Sequence, residues 1–166
     1  NLSRKYLLSQ DEWIIDTEIS SSVSINFRLS DDLLTKAGKN GGISNWENGA
    51  WVADNTANFS STNFYFSGYD INSDGTVAAF ISSPANSSEI SISVYQKLNN
   101  NWIIVGSPLI DYDSPGQKHI SIANEGLVIA FSAAEDIDQD GNYGYYERLI
   151  KVFEFTNGSW IQRGLN

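Results

Sequence analysis

With 166 residues, 41% of them hydrophobic and 13% aromatic, the chain has the length and apolar content to bury a core and does not have the composition of a disordered segment. A net charge of −10, with only ten Lys and Arg spread along the sequence, excludes the basic surface that a phosphate backbone or an anionic membrane would need. Cysteine is absent, so no disulfide holds the fold, and no apolar run approaches the roughly 18 residues of a membrane span.

From the N-terminus, which begins at Asn1 without Met and reads as a processed or excised segment, the first two strand-like runs are RKYLLS and EWIIDTEI, within residues 1–19. A first full unit, residues 20–56, carries VSINFRLS, LLTKAGK, GISNWEN and AWVADN. A second, residues 57–110, carries NFYFSGYDI, TVAAFISS, EISISVYQK and WIIVGSPL. A third, residues 111–166, carries KHISIAN, LVIAFSAA, RLIKVFEF and WIQRG. Each run is short, rich in β-branched and aromatic residues, and bounded by Gly, Asn, Asp or Ser. Only DDLLTKAG has a helical alternative, with Asp31 capping a short turn, and its alignment with TVAAFISS and LVIAFSAA predicts a strand. Asp74-Gly75 and Asn124-Glu125-Gly126 are predicted turns between the first and second strands of their units. LIDYDSPGQ, with Asp111 and Asp113, is expected to link two units.

Tryptophan marks the repetition. KYLLSQDEWII, ISNWENGAWVA, VYQKLNNNWII and VFEFTNGSWIQ each pair a strand-like run with a polar turn and an aromatic-led second strand. Trp13, Trp51, Trp102 and Trp160 are spaced by about 38, 51 and 58 residues, within the range of solenoids, propellers and arrays. The fold class expected is all-β: one domain of repeated four-stranded antiparallel meanders, about three and a half units in all.

The segments Ser73–Ala79 (SDGTVAA), Ile92–Tyr95 (ISVY) and Trp102–Gly106 (WIIVG), partly repeated over Trp160–Gly164, resemble blades of a β-propeller, in particular the FG-GAP repeats of integrin-α-type propellers. That resemblance spans nearly the whole chain and implies a secreted, cell-surface or virion protein. Three and a half blades would leave open sheet faces, so the chain is expected to belong to a longer protein, to associate with copies of itself, or to pack in another all-β form.

The sharpest local signal is DIDQDGNYGYYE, Asp136 to Glu147. Asp136, Asp138, Asp140 and Glu147 fall at positions 1, 3, 5 and 12 of a calcium loop, with Gly141 at the sharp turn and the Asn142 carbonyl at position 7. Alternate side chains on a tightly turning backbone converge on one point, and an anionic all-oxygen cage suits calcium. The flanking strand-like runs place the loop in a hairpin, as in integrin-like propellers. Those loops close with an acid where this chain has Gly144, so Glu147 would take that role. Asp70, Asn72, Asp74 and Gly75 match the same spacing only in part, and a hairpin turn accounts for them.

Catalysis finds little support: the one histidine, His119, sits in a strand-like run, and no serine stands in a Gly-x-Ser-x-Gly turn. Tyr143, Tyr145 and Tyr146 beside the acidic loop are candidates for stacking on a ligand such as a sugar. The expectation is a non-enzymatic binding module with a calcium-stabilised hairpin and a protein or glycan ligand. A calcium-dependent lectin is one alternative and a hydrolase with a site between blades is another.

Overall fold

The computed structural model describes residues 2–9, 12–20, 27–32, 34–38, 41–57, 59, 64–84, 89–112, 118–123, 127–134 and 148–164. Fifteen strands and no helix occur among them. A hairpin of β1 (Leu2–Ser9) and β2 (Glu12–Ser20) comes first. Sheet I contains β3 (Phe27–Leu29), β4 (Thr35–Gly38), β5 (Ile43–Glu47) and β6 (Ala50–Ala53). Sheet II contains β7 (Phe64–Ile71), β8 (Val77–Pro84), β9 (Glu89–Leu98), β10 (Asn101–Ile104) and β11 (Leu109–Tyr112). Sheet III contains β12 (Ile120–Ile122), β13 (Val128–Ala134), β14 (Arg148–Thr156) and β15 (Ser159–Arg163). All pairings are antiparallel, and all join chain neighbours except that β11 returns to β9.

Short-range sequence sets the hairpins. Asn48-Gly49, Asn99-Asn100 and Asn157-Gly158 each have positive φ at both positions. Each pair forms a two-residue loop, closed by Glu47↔Ala50, Leu98↔Asn101 and Thr156↔Ser159. Asn and Gly adopt that conformation at low cost, and its twist matches the strands it joins. These are the turns before Trp51, Trp102 and Trp160.

Between the first and second strands of sheets I and II, a side chain replaces a missing main-chain partner. In sheet II the Asn72 side-chain oxygen accepts the N–H groups of Thr76 (2.9 Å) and Val77 (2.8 Å), while Asp74 accepts the Thr76 N–H at 3.0 Å. In sheet I the Ser30 hydroxyl accepts the Thr35 N–H and Asp32 accepts the Leu34 N–H. Asp32, not Asp31, is therefore the capping residue, and β4 follows at once as a strand. A helix is disfavoured because its first turn is already committed to this closed loop.

Sheet II lies between the other two. On β8, Ala78 and Phe80 join Ala37, Ile43, Ile71 and Trp102 in a core against sheet I. Val77, Ala79 and Ile81 join Ile90, Ile92, Ile120, Ile129 and Phe131 in a core against sheet III. A strand covered on both faces has no polar alternation to show, which explains the uninterrupted VAAFI. β9, by contrast, alternates buried and half-buried residues.

WIIVGSPL was expected as one strand and is split. Gly106 has φ +66°, and a Cβ there would stand 2.6 Å from the Phe155 ring. The chain turns at this point, and LIDY, expected as part of a link, forms β11 against β9. Asp111 is buried there and receives the Lys151 ammonium of sheet III at 2.8 Å. Asp113 lies outside the described residues.

Candidate functional site

The three full units share a frame. Ser30, Asn72 and Ala123 each donate a main-chain N–H to the carbonyl that opens the second strand: Thr35, Val77 and Val128. Counting back along the first strands brings Arg28, Asp70 and Ser121 to one repeat position, opposite Ala37, Ala79 and Ala130 respectively. All three side chains line a single cavity of about 360 Å³ where β3, β7 and β12 approach one another. His119, Ser132 and Ile150 add to its wall. The size is that of a pocket for a small ligand or part of a larger one.

Two hydrogen bonds cross the sheet boundaries in this region. The Asp31 N–H donates to the Ser73 carbonyl at 2.8 Å, and the Ile122 N–H donates to the Asp70 carboxylate at 2.9 Å. Partial burial raises the Asp70 pKa, while bonds from the Ile122 and Ile71 main chain, the Arg28 charge and the Ser121 hydroxyl oppose that rise. Arg28 is exposed in the cavity wall, and its charge also counters the upward shift that burial gives Tyr69. His119 is exposed and fixed by its main chain: its N–H donates to the Ser132 hydroxyl at 3.1 Å and its carbonyl accepts the Ser132 N–H at 3.0 Å. The cavity thus presents a guanidinium, a partly desolvated carboxylate, an imidazole and hydroxyls beside the apolar Ile150. Such a set can hold a polar ligand through charge-assisted hydrogen bonds.

Asp136, Asp138, Asp140, Asn142 and Glu147, with Tyr143, Tyr145 and Tyr146, lie outside the described residues. β13 and β14, which flank them, are antiparallel partners with Ala134 opposite Arg148. Among the described residues no cluster of three or more acidic, His or Cys side chains is placed to hold a metal. Asp70, Asn72 and Asp74 do not converge: Asp70 faces β12, whereas Asn72 and Asp74 close the turn on Thr76. The cavity itself was missed, although its signal was present as the residue opposite the aligned alanines of KAG, VAAF and VIAF.

The chain matches no protein-family model and no curated protein sequence.

Proposed function

We propose that the chain is a non-enzymatic binding module of a secreted, cell-surface or virion protein, built of blade-like sheets in a β-propeller-like arrangement. One observation carries this reading: the same repeat position delivers Arg28, Asp70 and Ser121 from three separate sheets into one cavity. Side chains that converge from repeats can recognise a ligand without each other's help in folding. The protein or glycan ligand engages this cavity, and calcium held by Asp136, Asp138, Asp140, the Asn142 carbonyl and Glu147 stiffens the hairpin between β13 and β14. Tyr143, Tyr145 and Tyr146 extend the ligand surface from that hairpin.

A glycan array probed with and without calcium tests this reading, with Asp70→Ala and Arg28→Ala as variants. Glycan retention that both variants lose supports it, and calcium dependence of that retention makes the module a lectin. Turnover of chromogenic glycosides or esters, abolished by Asp70→Ala, would overturn the non-enzymatic reading.

A further inference from the structure

We propose that the outer face of sheet III, the one turned away from sheet II, seats sheet I of a second copy of this chain. The repeat frame supplies the first observation. Ala79 pairs with Val94 and Ile81 with Ile92 in sheet II; Ala130 pairs with Val152 and Ser132 with Ile150 in sheet III. Ile92 and Ile150 therefore occupy one repeat position. Ile92 is 1% exposed because sheet III covers it, whereas Ile150 is 65% exposed. The neighbouring position behaves alike: Ile43 in sheet I and Val94 in sheet II are buried by the following sheet, and Val152 in sheet III is only half-buried. The outer face of sheet III is thus the repeat's stacking face without its neighbour.

A second observation, on the first four-stranded sheet, identifies the occupant. Trp102 donates its indole N–H to the Asp54 carboxylate of sheet I, and Trp160 donates to the Val105 carbonyl of sheet II. Trp51 stands at the same position of sheet I, opposite Trp46 as Trp102 stands opposite Lys97 and Trp160 opposite Phe155. Its ring packs against Trp46 and lies 4.5 Å from the Lys36 ammonium, but its N–H finds no acceptor among the described residues. The counterpart of Asp54 and Val105 in sheet III is Arg163, three residues after its Trp in each case. Sheet I of one copy on sheet III of another brings the Trp51 N–H to the Arg163 carbonyl and buries Ile150 as Ile92 is buried. The contact is head-to-tail, so it generates a closed ring or an open filament. It also walls the Ile150 side of the cavity.

Sedimentation velocity over a concentration series tests the assignment, with three variants. Ile110, on β11, is 64% exposed and occupies no position covered elsewhere in the repeat, which makes Ile110→Glu the control for general stickiness. The wild type is expected to self-associate, with Ile150→Glu weakening the dissociation constant by about tenfold or more and Ile110→Glu leaving it unchanged. Trp51→Phe, which keeps an aromatic ring and removes the donor, is expected to weaken it several-fold. Circular dichroism melts establish that each variant is folded. A wild type that stays monomeric up to about 1 mM overturns the proposal, as does equal loss in the Ile150 and Ile110 variants. Association insensitive to Trp51→Phe overturns sheet I as the occupant.

Discussion

Trp102 donates its indole N–H to the carboxylate of Asp54 over 3.1 Å, across the boundary between sheets II and I and 48 residues back along the chain. Lys97 donates to the same carboxylate oxygen at 2.9 Å, and the Thr56 hydroxyl to the other at 2.6 Å. A buried acidic group with donors from two sheets fastens them in one register. Removing the carboxylate would leave an ammonium and an indole donor without their acceptor, which costs more than the bonds themselves. Asp54→Ala is expected to lose about 2–3 kcal/mol in urea unfolding, and the Asp54→Ala and Trp102→Phe effects to be non-additive in a double-mutant cycle.

The same group sets an acid limb. Burial raises the Asp54 pKa, but bonds from Thr56, Lys97 and Trp102 outweigh it and hold the carboxyl well below its ordinary value of 3.8. Its stabilisation is whole above 3.8 and fades as pH falls below that value. Asp54→Asn should flatten the loss of stability between neutral and strongly acid pH, measured as urea midpoints. An acid limb as steep as that of the wild type would exclude Asp54 as its source.

Asp70 has the opposite sign. Its pKa is raised by burial, so the folded state binds the proton more tightly than the unfolded chain and the ionised carboxylate weakens the fold as pH rises. Asp70→Asn keeps an acceptor for the Ile122 N–H and removes that penalty. The variant should be more stable than wild type at neutral pH and lose the advantage below 3.8, while ligand binding in the cavity is impaired. Unfolding midpoints at the two pH values check the first part and the glycan array the second.

Gly106 and Gly49 separate two costs of one substitution. Both have positive φ, +66° and +84°, but a Cβ at Gly106 meets the Phe155 ring at 2.6 Å and one at Gly49 meets nothing within 4 Å. Gly49→Ala should lose about 1 kcal/mol for backbone strain alone. Gly106→Ala should lose about 3 kcal/mol, because sheets II and III must also part at Phe155 and Trp160. Equal losses in thermal melts would mean that the ring moves aside freely.

For the acidic loop, millimolar calcium should raise the melting temperature relative to excess chelator, since an ion that binds only the folded state stabilises it by mass action. Magnesium should act more weakly. Asp138→Ala should abolish most of the shift. Asp74→Ala should lower stability through the lost Thr76 bonds yet leave the calcium increment intact. An equal loss of the increment in both variants would reduce the loop to an acidic turn.

The strands were legible because their signals are local. Alternation in EISISVYQ, Asn-Gly and Asn-Asn turns, and an aromatic opening each last strand need no knowledge of neighbours. Where the outcome involves a distant partner, local pattern fails: β11 pairs with β9 and sets Asp111 against Lys151 of the next sheet, and WIIVGSPL breaks at Gly106, beside Phe155 and Trp160. The cavity belongs to this second kind. Arg28, Asp70 and Ser121 share no chemistry, and only the alanines opposite them mark the position.

Those alanines have a consequence for how such a chain can change. Ala37 and Ala79 are fully buried, and so hold the spacing between sheets, while Arg28 and Asp70 across from them, and Ser121 across from the half-buried Ala130, line the cavity. On the proposed binding role, stability and recognition fall to opposite members of one cross-strand pair. A positive, a negative and a neutral side chain already occupy the cavity-lining member in this single chain. If the cavity binds as proposed, its specificity can be altered there one sheet at a time, as a lock is re-pinned, without disturbing the stack that carries it.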